Sequence, residues 1–265
     1  ELTCDTALLD FHKLTGTFSS SHYPVRYRSF QDRVKKNFGL SSQRIEVELS
    51  KKSEKIEIDT LTAKGKTHID YGEHFQLDSE EAFYKSTGIL KAESRQPKLP
   101  CKLTYLDDII NARIVDIDLN TRTLNMTAPE GFVCSTRSTI PLGKYYVISD
   151  FLNWNEDNSS LFLRGNTEID NETFGKLLNN ESVYFKQKAH TGKKIIQKIE
   201  AVGHTILMLK NKFKLNCFGQ LIINQDKLKV NCESPTLNGF VPNDKQLSFT
   251  NGEMTYLADK GYLSY

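Results

Sequence analysis

The sequence predicts an all-β fold of stacked antiparallel repeats, and three observations carry that prediction. A nine-residue frame recurs, as LTAKGKTHI at 61–69, LFLRGNTEI at 161–169 and IEAVGHTIL at 199–207; each reads apolar, any, apolar, any, Gly, any, Thr, any, apolar. Within the frame, apolar and polar residues alternate with the period of two that belongs to a strand covered on one face. Turn-forming strings separate the alternating stretches: KSTG at 85–88, NEDNSS at 155–160 and NQDK at 224–227.

Taken in order, residues 1–43 form an N-terminal segment set apart from the repeats. Its second half opens a basic stretch, His22 to Lys55, with Arg26, Arg28, Arg33, Lys35, Lys36, Arg44, Lys51, Lys52 and Lys55. A charge run of this kind reads first as a solvated face. In PVRYRSFQDRVKKNFGL (24–40) the apolar Val25, Phe30, Val34 and Phe38 are loosely helical in spacing. One short helix, ended by Gly39, is therefore expected there. Residues 44–265 are expected to form the β-repeat domain.

Internal repeats organise that domain. Twelve residues after Gly65, Gly165 and Gly203 stand Leu77, Leu177 and Leu215, and eighteen after stand Phe83, Val183 and Leu221. The second and third glycines lie 38 residues apart, which sets the length of the unit. A degenerate copy, RIVDIDLNTRTLNMTAP at 113–129, carries Leu124 and Met126 in the frame but Ala128 at the glycine position. A glycine at one fixed point of every strand predicts a bend or bulge there. Stacked units bury a common interior that none could bury alone. The inward residues are expected to be Leu61, Ala63, Ile69, Leu77 and Phe83; Leu161, Leu163, Ile169, Leu177 and Val183; and Ile199, Ala201, Leu207, Leu215 and Leu221. Alternation separates inside from outside; it does not separate a packed interior from an open one.

Composition narrows the function. Of 265 residues, 38% are hydrophobic and 26% charged, so apolar residues are spread thinly and favour an extended architecture. The net charge of +2 creates no global basic field and gives no reason to expect a nucleic acid partner. There is no run of about 18 apolar residues to cross a membrane as a helix. The cysteines Cys4, Cys101, Cys134, Cys217 and Cys232 have no metal-site spacing, and Cys217 and Cys232 flank a strand pair across which they could face each other. The six histidines form no metal motif either; His68 and His74, with Asp70 and Glu73, are the nearest thing to a polar cluster. No nucleophile elbow, phosphate loop or dinucleotide fingerprint is present. The expectation is a non-enzymatic protein without catalytic residues, metal or cofactor. The C-terminal stretch LSFTNGEMTYLADKGYLSY (247–265), with Thr250, Met254, Tyr256 and Leu257 and few guarding lysines, is expected to end the stack as an exposed edge.

The repeats resemble those of the OstA/LptA family of lipopolysaccharide-transport proteins. The family's style is apolar-x-Ala-x-Gly-Asn-Val-x-Ile, then a strand, a Tyr-containing strand, a turn and Leu-x-Leu. SLFLRGNTEIDNETFGKLLNNESVYF (160–185) matches best, followed by 198–232 and 55–92, and the resemblance covers roughly residues 44–265. It implies an elongated, twisted β-jellyroll opened as a V. It also implies a periplasmic carrier or bridge in a Gram-negative bacterium, with the acyl chains of lipopolysaccharide or lipooligosaccharide held along the fifteen inward residues. Partners implied are other proteins of the same fold, joined through edge strands, and further copies of this chain, head to tail. The basic stretch would then suit phosphorylated sugars or an anionic membrane surface. Departures are the greater length of this chain, its five cysteines and the basic segment that precedes the repeats. The residues alone leave a different class equally in view, a saccharide-binding or structural β-solenoid or β-sandwich with a closed core, for which Trp154 and the tyrosines are the markers.

Overall fold

The computed structural model describes the backbone of residues 1–31, 36–52, 55–135, 143–172, 175–190, 193–209, 213–224, 227–232, 236–239, 252–257 and 262–264. It describes the side chains of these up to residue 223, apart from 30, 31, 36, 52, 135, 143, 188–190, 193, 194, 209 and 213. Short alternating stretches bounded by turn residues can satisfy their backbone only by lateral pairing, and among the described residues every regular element is a strand. The strands fall into two compact units, Glu1–Thr127 and Ala128–Tyr265.

The first unit contains β1 (Leu2–Thr3), β2 (Thr6–Asp10), β3 (Thr15–Ser19), β4 (Val25–Gln31), β5 (Lys36–Ser42), β6 (Arg44–Lys52), β7 (Lys55–Tyr71), β8 (Phe75–Lys85), β9 (Ile89–Glu93), β10 (Cys101–Tyr105), β11 (Asp108–Ala112), β12 (Ile114–Asp118) and β13 (Thr123–Thr127). All its pairings are antiparallel, and they make two sheets that share β7 and β8. The first half of β7 and the second half of β8 belong to a sheet ordered β2-β3-β6-β7-β8-β9-β12-β13. Their other halves belong to one ordered β1-β4-β5-β7-β8-β10-β11.

The second unit repeats the plan with β14 (Glu130–Ser135), β15 (Gly143–Ile148), β16 (Phe151–Asn155), β17 (Ser160–Arg164), β18 (Thr167–Asn171), β19 (Gly175–Asn179), β20 (Ser182–His190), β21 (Lys193–Leu209), β22 (Phe213–Asn224), β23 (Lys227–Cys232), β24 (Thr236–Gly239), β25 (Gly252–Leu257) and β26 (Tyr262–Ser264). One sheet runs β14-β15-β18-β19-β21-β22-β24. The other runs β16-β17-β20-β21-β22-β23-β25-β26. The long strands β21 and β22 pass through both. This is the all-β, jellyroll-like architecture that the alternation predicts.

The helix expected over 24–40 is corrected. Val25–Gln31 and Lys36–Ser42 are strands, paired with each other from Val25↔Ser42 to Gln31↔Lys36. The helical spacing of Val25, Phe30, Val34 and Phe38 competes with a period of two, and the period of two wins: Val25, Phe38, Leu40 and Ser42 are buried while Arg26, Arg28 and Asn37 are exposed. Phe30 and Val34 lie outside the described side chains. The N-terminal segment thus joins the first repeat directly, since β5 pairs with β7 through Leu40↔Ile69. Arg26 and Arg28 project from one face of β4 into solvent, and Arg44 is held 2.9 Å from Glu46, which also binds Lys64 at 2.9 Å.

Candidate functional site

The site the sequence points to is the inner face beside the frame glycines. Gly65, Gly165 and Gly203 have φ of 79°, 90° and 95°. Only glycine adopts this conformation without strain. Each lies where a chain leaves one sheet of its unit and enters the other, so the three recurrent glycines are bends. Each bend is covered from outside by a polar side chain. A Cβ built on Gly65 would stand 2.5 Å from Gln43 Oε1; the corresponding contacts are 2.3 Å to Asp150 Oδ2 at Gly165 and 2.3 Å to Glu181 Cδ at Gly203. At the glycine position of the degenerate copy Ala128 also has a positive φ, 50°.

Beneath each bend lies a small polar core that recurs with it. The threonine two residues after each glycine (Thr67, Thr167, Thr205) is 0–3% exposed. In the first copy the Ser42 hydroxyl donates to Lys64 O at 2.7 Å, and Thr67 Oγ1 donates to Ser42 Oγ at 3.3 Å. In the second copy Ser149 Oγ donates to Arg164 O at 2.9 Å and bonds Thr167 Oγ1 at 2.9 Å. In the third copy Asn179 Nδ2 donates to Val202 O at 2.9 Å and to Thr205 Oγ1 at 2.8 Å. In each case the carbonyl just before the glycine, turned out of the ladder by the bend, is satisfied by a buried side chain.

Fourteen of the fifteen predicted inward residues are 0–2% exposed. They are also brought together in rows across the ladders. Ile169, Leu177, Leu207 and Leu215 stand side by side, flanked by Val147. Leu163, Val183, Ala201 and Leu221 do the same in the other sheet, beginning from Leu152, and Leu161 shares a row with Phe185 and Ile199. In the first unit Ile69 and Leu77 continue a row from Leu40 to Leu103 and Ile110. Ala63 stands between Ile45 and Ala82, and Leu61 between Val47 and Tyr84. Each aliphatic side chain buried in such a row contributes roughly 1.5–3 kcal/mol, relative to exposure, to holding its sheet against the facing one.

Phe83 is the correction. It lies on the opposite face, 38% exposed, and its neighbour Tyr84 points inward at 3%. The cause is a register shift. In the second and third copies the pairing runs through the bend unbroken, from Ile169↔Leu177 to Leu163↔Val183 and from Leu207↔Leu215 to Ala201↔Leu221. In the first copy it slips between Lys64 and Thr67, so Ile69 faces Leu77 but Ala63 faces Ala82. The returning strand is one residue shorter there, and the parity of every side chain beyond that point is reversed.

Two aromatic residues outside the copies of the frame, Phe38 and Tyr145, escape a search based on it. Phe38 stacks on Tyr84 with centroids 4.5 Å apart, and Tyr145 meets Phe185 edge-on at 5.9 Å. Each pair joins the two sheets of its unit. Burial raises the Tyr145 hydroxyl's pKa well above the usual tyrosine value.

The polar cluster expected around His68 and His74 is a set of surface pairs. His68 bonds Asp78 through Nδ1 at 2.6 Å and Asp70 through Nε2 at 3.2 Å, while His74 stands 3.8 Å from Glu73. Burial opposes the charge on His68, but the two carboxylates prevail and its pKa is raised. Among the described residues no group of three or more His, Cys, Asp or Glu is placed to hold a metal ion. Cys4 and Cys101 are free thiols, and Cys217 is disulfide-bonded. Burial pushes the Cys101 thiol to about 12, so it is protonated at neutral pH while it stays buried. The side chain of Cys232, and the expected edge residues Thr250, Met254, Tyr256 and Leu257, lie outside the described side chains. No known protein-family model and no curated protein matches the chain.

Proposed function

We propose that the chain is a non-enzymatic carrier or bridge for lipopolysaccharide, working in the periplasm of a Gram-negative bacterium. The observation that carries the reading is the recurrent inner face: three glycine bends, each joining two sheets lined by aliphatic rows. An acyl chain crossing water unaided costs about 0.8 kcal/mol per CH₂ relative to an apolar surrounding. A continuous aliphatic face offsets that cost, and it needs neither a catalytic group nor a cofactor. The disulfide at Cys217 suits an oxidising compartment. The likeness of the repeats to the OstA/LptA style supplies the identity of the lipid and the partners of the same fold.

A second reading has its own observation. Residues 0–2% exposed are equally what a closed core contains, and in that case the chain is a structural or saccharide-binding β-protein. One experiment separates the two. A photo-crosslinking residue placed at Ile169 and, separately, at Leu207 in cells is expected to give lipopolysaccharide adducts. If both folded variants yield no adduct while the purified chain captures polysaccharide, the closed-core reading replaces the carrier.

A further inference from the structure

We infer that Phe38–Tyr84 and Tyr145–Phe185 are clasps, which hold the two sheets of each unit together away from the glycine bend and must break before an apolar chain reaches the inner face. The lipid role of the clasps rests on the carrier reading above; their mechanical role does not.

The two pairs occupy the same framework positions. Phe38 faces Tyr71, six residues after Gly65, and Tyr145 faces Asn171, six residues after Gly165. Tyr84 faces Leu61, four residues before Gly65, and Phe185 faces Leu161, four residues before Gly165. Tyr71 and Asn171 are the last residues of β7 and β18, so each ring contact lies away from the bend, at the end of one sheet, while the other sheet runs on past Tyr84 to Lys52↔Lys55 and past Phe185 to His190↔Lys193. The ring types are exchanged, Phe over Tyr in one unit and Tyr against Phe in the other, yet the contact is kept. All four residues are 0–3% exposed.

The third copy supplies the contrast. Its equivalent positions are Gly175, which faces Leu209, and Ile223, which faces Ile199. Neither is aromatic, so no ring pair bridges the sheets there.

Because the aliphatic rows between bend and clasp are already buried in protein, a ligand gains that surface only if the sheets part. Parting them requires a fixed end and a releasable end. The glycine bends, with buried hydrogen bonds beneath them, are the fixed ends. The ring pairs are the releasable ends, for an aromatic contact is directional yet modest in strength, equivalent to roughly two- to tenfold in an opening equilibrium.

The test uses the full chain carrying Leu177→Cys on the inner face of the second unit, with Cys101 as the native buried thiol of the first. Thiol labelling is followed at both sites by peptide mapping. Replacing Tyr145 and Phe185 together by leucine keeps both positions apolar but removes the ring contact. It is expected to speed labelling at position 177 roughly two- to tenfold and leave Cys101 unchanged. The converse variant, Tyr145→Cys with Phe185→Cys bridged by a short bismaleimide, is expected to slow labelling at 177 and to suppress uptake of N-phenyl-1-naphthylamine. Equal acceleration at both sites, or none at 177, overturns the clasp. If the labelling behaves as expected while the unbridged chain takes up no probe and gives no lipopolysaccharide adduct, the clasp stands and the carrier reading falls.

Discussion

Gly165→Ala is the sharpest test of the bend. The substitution places a Cβ on a residue of φ 90°, and that Cβ would lie 2.3 Å from Asp150 Oδ2, 2.7 Å from its Cβ and 2.8 Å from its Cγ. The carboxylate end can swing away, but the Asp150 Cβ cannot, because Ala128 N holds the Asp150 carbonyl at 2.9 Å. Swinging the carboxylate also removes its hydrogen bonds from Asn166 N and Nδ2, both 3.0 Å. The backbone conformation costs about 1–2 kcal/mol for a non-glycine residue, and the two exposed hydrogen bonds about 0.5–1.5 kcal/mol each. Alanine's lower unfolded-state entropy returns about 0.4–1 kcal/mol. With the residual overlap, the net loss is about 2–4 kcal/mol, or a fall in Tm of roughly 4–16 °C. Trp154, the chain's only tryptophan, lies in β16, so its fluorescence reports the second unit. Gly39→Ala is the control: its φ is not in the left-handed region and the nearest atom to a new Cβ is Asp70 Cβ at 3.7 Å, so its own effect should stay within about 0.5 kcal/mol. Adding Asp150→Ala to Gly165→Ala should relieve the overlap with the carboxylate but neither the 2.7 Å overlap with the remaining Cβ nor the backbone strain. A Gly165→Ala shift no larger than that of Gly39→Ala would refute the reasoning.

The opposite substitution, Ala128→Gly, should raise Tm, because it relieves a φ of 50° at a smaller entropic cost, for a net gain of up to about 1 kcal/mol; a decrease on thermal denaturation counts against a strained bend there. Thr205→Val keeps the shape but leaves Asn179 Nδ2 without its 2.8 Å side-chain acceptor, and urea denaturation should show a loss of about 1–3 kcal/mol, whereas a neutral result would mean that the Val202 carbonyl alone satisfies the amide. His68 should make stability fall with rising pH. Its folded pKa is raised above the unfolded value near 6.5, so the stabilisation is complete below about 6.5 and is lost as pH rises through the folded pKa. Tm measured across that window should show the slope in the wild type and not in His68→Gln; identical slopes exclude His68 as the source.

The repeat frame was legible because its information is local. Alternation in LTAKGKTHI, LFLRGNTEI and IEAVGHTIL marks the buried side of a strand, and a glycine at a fixed phase marks the bend, since both follow from the geometry of one strand. What the bend requires from elsewhere was not legible. Ser42, Ser149 and Asn179 stand 16 to 24 residues before the glycines they serve, and only the threonine two residues after each glycine hints that a buried polar partner exists. The clasp partners are hidden for the same reason: Phe38 and Tyr145 lie on strands that no copy of the frame includes. The helix expected over 24–40 arose from apolar spacing that fits both periods, and the choice was made by pairing with β7, which lies well beyond that window. Phe83 was misplaced because counting from Gly65 assumes equal return strands.

That missing residue in β8 has a consequence for how the chain can change. The second and third copies share one parity, so a crossover between their return strands delivers every side chain to its proper face. A crossover between the first copy and either of the others does not: past the bend, Phe83 and Tyr84 would trade places, and the charged Glu81 and Lys85 would be carried inward with the exchanged phase. The copies look alike in sequence, yet only two of them are in step for recombination. The first copy can vary by substitution, but it is barred from trading segments with its siblings unless one residue is restored.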